Sequence, residues 1–307
     1  MSPPHPSPPS LPRQTQAYLF GLSAVLCWST VATAFKLSLA HLTPLQLLLG
    51  ASCVSWLLLA GFLGISGRWP LLAQSSWRDW RTSALLGLIN PFIYYLVLFE
   101  AYALLPAQEA QAINYTWALT MALLAVPLLG HRLRPAELLA ALVCYSGVLV
   151  IATRGHPWTL EFASVRGVVL ALLSTLLWAC YWIFTTRDRR DPVVALFLNF
   201  SCGVPMILLY GAATGAWQRV DWQGLPGAAY VGVFEMGLSF VLWLQAMKRT
   251  ESTARIANLI FISPFLSLFF IALLLGEAIL PSTLAGLLLI MAGLLLQQLL
   301  VPRGTMK

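Results

Sequence analysis

The sequence predicts an all-α integral membrane protein of ten transmembrane helices, built as two inverted five-helix repeats with both termini cytoplasmic. Three observations predict this. Of 307 residues, 59% are hydrophobic and only 9% are charged, whereas a soluble domain carries about 25% charged residues. The apolar residues fall into ten runs, each close to the roughly 20 residues that cross a bilayer. Part of the first half of the chain also recurs in the second.

Taken in order, residues 1–16 open the chain as a tail rich in Pro and Ser, expected to be disordered. The tail lacks the basic stretch of a signal peptide, so the first apolar run is expected to be retained. Helices are expected at 17–39, 43–65, 81–102, 106–129 and 135–153 in the first half. The second half repeats the count at 165–186, 191–214, 225–247, 252–275 and 281–301. The fifth is the shortest, and Glu235 interrupts the eighth. With the N-terminus inside, only Lys36, Arg154, Arg166 and Arg219 of the 18 Lys and Arg residues fall on the far side, leaving 14 on the near side. That bias puts both termini in the cytoplasm.

The repeat is gapless. Leu128-Leu129-Gly130 through Pro135 to Gly147-Val148-Leu149 aligns with Leu274-Leu275-Gly276 through Pro281 to Gly293-Leu294-Leu295. Leu matches are cheap in such a chain, so the Gly, Pro and Gly matches carry the alignment. Five helices is an odd number, so two five-helix copies (17–153 and 165–301) must lie in opposite orientations. Inverted repeats are the build of many secondary transporters.

A Trp in the first helix of each half (Trp28, Trp178), and the segment Leu274-Leu275-Gly276-Glu277 followed by Pro281 and Gly293, resemble the drug/metabolite transporter superfamily. Within it, the chain is similar over nearly its whole length to the EamA-type ten-helix transporters. In aromatic richness it is similar to their branch of bacterial aromatic amino-acid exporters. The resemblance implies outward transport of amino acids across the inner membrane, through a central cavity formed by helices 1–4 and 6–9 with helices 5 and 10 peripheral. His131 departs from the pattern, standing where the second half carries Glu277.

Polar groups deep in a bilayer are costly and face a cavity or a partner. Glu235 is the only acid near mid-helix, four residues from Ser239 and eight from Trp243, so all three share a helical face. It would meet a substrate ammonium group, titrate during a cycle, or fix helix packing. The other candidates for the cavity are Trp28, Ser29 and Thr33 in helix 1, Asn90 and Tyr94 in helix 3, and Asn114 and Trp117 in helix 4. Helix 6 adds Ser174, Trp178, Tyr181 and Trp182, and helix 9 adds Asn258 and Ser263. Pro91, Gly203, Pro205 and Pro264 are candidate hinges or simple kinks, and Pro91 removes one helical hydrogen bond. Trp56, Trp69, Trp77, Trp80, Trp158, Trp217 and Trp222 read as an interfacial aromatic belt, whereas Trp28, Trp117 and Trp178 fall near the midplane.

The net charge of +7 forms no patch suited to nucleic acid. The five cysteines lie inside apolar runs, the four histidines have no metal-ligand spacing, and no phosphate-cradling loop occurs, so no cofactor or metal is expected. The expected partners are a small-molecule substrate (an amino acid) and the bilayer, with the chain a monomer or weak homodimer. A channel, an intramembrane enzyme, and a drug or nucleotide-sugar carrier are the alternatives. The enzyme would need a reactive cluster at a membrane face, and the sequence displays none.

Overall fold

The computed structural model describes residues 12–130, 135–159, 162–217, 219–251, 256 and 258–300. Ten helices long and apolar enough to span a membrane occur among them: α1 (Arg13–Leu39), α2 (Pro44–Ile65), α3 (Trp77–Leu104), α4 (Ala107–Leu129), α5 (Pro135–Ala152), α6 (Val165–Thr185), α7 (Pro192–Thr214), α8 (Trp222–Arg249), α9 (Asn258–Leu275) and α10 (Pro281–Leu299). The fold class is therefore all-α and multi-pass.

Helix α8 opens three residues before the expected 225, and the expected start of α9 at 252 lies outside the described residues. Two further starts come four residues early, each for a polar reason. Part of the expected tail is helical, because α1 begins at Arg13. There Gln16 accepts from Arg249 Nε at 3.2 Å and Gln14 from the Glu251 N–H at 2.9 Å, which ties the start of α1 to the end of α8. Residues 1–11 lie outside the described residues. Helix α3 begins four residues before the expected 81, because Ser76 and Asp79 form a reciprocal capping box ahead of the apolar run. Other starts are equally explicit. Thr43 and Gln46 box the start of α2, Ser164 caps α6, and Asp191 accepts from the N–H groups of Val193 and Val194 at the start of α7.

The residues that carried the repeat have structural duties. Gly130 and Gly276 end α4 and α9 in the left-handed region, at φ 72° and 67°, which disfavours any side chain. Pro135 and Pro281 open α5 and α10, where a missing N–H costs nothing. Gly147 and Gly293 lie where α5 crosses α10. A Cβ there would come within 2.5 Å of the Gly286 carbonyl oxygen and 2.7 Å of the Ala140 carbonyl oxygen, respectively.

Helix pairing interlocks the two halves. Helix α1 packs on α8 and α9, α6 on α3 and α4, α2 on α8 and α7, α3 on α7, and α5 on α10. Shifting every helix number by five maps this set onto itself. The interruptions follow the same pairing. In α3, a π-helical turn over Leu88–Ile93 holds Asn90 at φ −134° and ψ 113°. Helix α4 breaks at Tyr115 and Thr116, between Ala107–Asn114 and Trp117–Leu129. In α8, regular helix stops at Phe234 and resumes at Leu238. In α9, a 3₁₀ stretch precedes Ser263. In lipid, freed backbone groups of this kind are tolerated where they line a cavity or are satisfied by protein.

Candidate functional site

Glu235 sits in the break of α8, after Phe234 and before Leu238. The Tyr95 hydroxyl donates to its Oε1 at 3.2 Å, while its Oε2 is buried with no hydrogen-bond partner among the described residues. Four-residue spacing in a regular helix would put Tyr94 on the face of Asn90. The π-helical turn adds a residue between them, so four-residue spacing does not carry across it. Tyr95 thereby reaches Glu235, and Tyr94 turns to Trp178.

Trp178 is the hub of one continuous ring cluster and is only 8% exposed. Tyr94 and Tyr181 stack on it at centroid distances of 4.5 and 5.5 Å. Trp182, Phe240 and Trp117 meet it edge-on at 5.9, 6.2 and 6.5 Å. Trp28 extends the cluster through Phe240 at 6.2 Å and Trp243 at 5.4 Å. The structure thus brings the three midplane tryptophans together, from α1, α4 and α6. Each ring pair contributes about 0.5–1.5 kcal/mol beyond its burial, so the cluster is a stiff wall.

The polar candidates divide. Asn114 donates to Ser174 Oγ at 3.0 Å. Ser263 is shared between Tyr115 at 2.7 Å and Ser29 at 3.1 Å, which joins α9, α4 and α1. Ser239 does not extend the Glu235 side chain inward, because its hydroxyl donates to the Glu235 carbonyl at 2.8 Å. Asn258 is exposed and joins none of these contacts. Asn90 Oδ1, Thr33 Oγ1 and Trp182 Nε1 are buried without partners among the described residues.

Of the candidate hinges, Pro91 lies in the broken turn of α3 and packs against Gly203, where a Cβ would meet the proline ring at 2.7 Å. Helix α7 runs unbroken through Gly203 and Pro205. Pro264 stands in the first turn of the helix Ser263–Phe270, a place where proline fits. Trp56 stacks on Phe197 at 5.8 Å and donates to Ser201 at 2.8 Å, between α2 and α7.

Sequence reasoning missed Tyr95, Tyr115 and Phe240. It also missed a charged cluster at one end of the bundle, around a cavity of about 490 Å³. Lys36 Nζ donates to the carbonyls of Tyr102 and Leu105, each at 2.9 Å. Glu277 accepts from the N–H groups of Ala107 at 3.0 Å and Gln108 at 3.5 Å, at the start of α4. Arg154 Nε donates to Glu109 Oε1 at 2.9 Å. These residues stand far apart in sequence and close to span ends, where charge is the default, so no local signal marks them. His131 lies outside the described residues.

Comparison with known proteins agrees with this architecture. The model of the EamA-like transporter family matches residues 15–153 and again 165–297. The aromatic amino acid exporter YddG of Ancylobacter novellus is 28% identical over 246 residues, covering 78% of this chain and 82% of its own. A probable amino-acid metabolite efflux pump of Salmonella typhimurium is 26% identical over 288 residues, with 89% and 91% covered. A protein of known crystal structure superposes with a TM-score of 0.64 at 25% identity, over 93% of this chain and 97% of that one.

Proposed function

Because the chain belongs to the EamA-like transporter family through both of its halves, we propose that it is a secondary transporter exporting amino acids, aromatic and other small amphipathic ones, across the cell inner membrane. The family is one of transporters, not enzymes. In our reading, residues 17–153 and 165–301 form two repeats of opposite orientation that rock about the central site, with both termini cytoplasmic. The skew of Lys and Arg toward one face supports that orientation.

The observation that carries the reading is Glu235 Oε2, a buried carboxylate oxygen beside the ring cluster with no partner among the described residues. A buried polar atom without a partner costs roughly 1–3 kcal/mol, more if charged. Asn90 Oδ1 and Trp182 Nε1 are in the same state. Such groups cost stability unless a ligand or a water meets them. Two acceptors and one donor match a ligand with an ammonium group, an acceptor end and an apolar or aromatic body. No Lys or Arg stands among the residues of this cluster, which argues against a phosphate-bearing cargo. Two relatives named for amino-acid export point the same way.

The test is counterflow in proteoliposomes. Vesicles preloaded with unlabelled L-tryptophan or L-phenylalanine should accumulate the labelled amino acid with saturable kinetics. Absence of saturable flux for every amino acid overturns the substrate class, and flux that rises without saturation favours a channel.

A further inference from the structure

We propose that the charged cavity at the end of the bundle bearing Lys36 and Arg154, the outer end in our orientation, is a second binding station for a zwitterionic α-amino acid, separate from the Glu235 site. This rests on the amino-acid reading above for the identity of the ligand, but not for the geometry.

Most polar capacity around the cavity is already used. Lys36 spends two of its three N–H groups on carbonyls, and Glu277 caps the start of α4. The Gln108 side chain donates to the Ala278 carbonyl at 3.0 Å and accepts from Leu280 N–H at 3.0 Å and Thr283 Oγ at 2.7 Å. These bonds pin α4 to α10, so the wall is preformed.

Two complementary groups are left over, side by side. Glu109 lines the cavity, its side chain is 0% exposed, and its Oε2 has no partner among the described residues. Arg154 is bound to the other Glu109 oxygen through Nε alone, and its side chain is 46% exposed. Among the described residues, nothing takes the remaining N–H groups of its fork. The open guanidinium edge suits an α-carboxylate, and the negative Glu109 buried beside it holds that edge in place and favours an α-ammonium through its field. Lys36 and Arg154 balance Glu109 and Glu277, so a ligand of zero net charge leaves no charge uncompensated. At about 490 Å³ the cavity is within the range of small-molecule sites. A purely structural Arg154–Glu109 tie would explain one oxygen of Glu109 and leave the other idle.

Equilibrium dialysis of labelled L-tryptophan against the purified full-length protein in detergent tests this. The wild type should show a tight and a weak component. Glu235→Gln should abolish the tight one and keep the weak one. Arg154→Gln and Glu109→Gln should each weaken the weak component by roughly tenfold, the scale of one lost charge-assisted hydrogen bond. Arg154→Lys, which keeps the charge without the fork, should fall between. A weak component missing from the wild type, or unchanged in Arg154→Gln, overturns the outer station. Should Glu109→Gln fail to fold, the half-exposed Arg154 still decides. The central reading fails separately, if the tight component is absent or survives Glu235→Gln.

Discussion

A carboxylate at membrane depth is kept only for a reason, and Glu235 has half of its hydrogen-bonding capacity open. Replacing it by Gln preserves shape and the Tyr95 contact while removing the charge that an ammonium would meet. Glu235→Gln should therefore lower transport efficiency for L-tryptophan by about ten- to a hundredfold, corresponding to roughly 1.5–3 kcal/mol. Expression and the melting temperature should stay at wild-type level or rise. Wild-type flux at every pH would remove Glu235 from the mechanism. This residue was legible in the sequence because it is the only acid near mid-helix, where a polar group needs a cavity or a partner. Tyr95 was not, because the added residue in the turn before it shifts the face by one position. The Arg154–Glu109 pair was not legible either, because nothing in either segment announces the other.

Among the elements, the ten spans were readable from hydropathy, while their interruptions were only partly so. Asn90-Pro91 announces the break in α3 through the proline. The breaks in α4 and α8 carry no proline, although Gly237 stands in the second, at φ −120° and ψ −82°. The segment joining α6 to α7 is held by charge. Arg190 binds the Asp188 carboxylate at 2.5–3.0 Å, and also the Asp79 carbonyl at 3.0 Å and Ser83 Oγ at 2.8 Å on α3. Burial pushes the Asp188 carboxyl up, but the Arg190 side chain and N–H outweigh it and hold it below its ordinary value. A lowered folded pKa contributes stability above the ordinary Asp value of about 3.9, which is lost as pH falls through the folded value. Wild-type melting temperature should drop on acidification below about pH 4. Arg190→Gln should melt lower at neutral pH and show a shallower acid drop. An acid dependence identical in the two proteins would rule out this pair as its source.

For the whole molecule, the decisive quantity is which end faces the cytoplasm. Trp158, in the segment after α5, is 95% exposed, and Trp77, at the start of α3, is 77% exposed. In a variant cleared of its five cysteines, Trp158→Cys should react with a membrane-impermeant maleimide in intact cells. Trp77→Cys should react only after permeabilisation, and the reverse pattern would invert the topology. The interlocked pairing also orders events in time. When the fifth helix leaves the ribosome, α1 still lacks α8 and α9, α2 lacks α7 and α8, and α5 lacks α10. The early spans then have only their thinner contacts with one another, and Tyr94 and Trp117 lack the ring they meet until α6 delivers Trp178. The helices around the ring cluster are complete only with α9, and α5 gains its main partner only with α10, so a nascent chain cut short before α9 leaves the site half built.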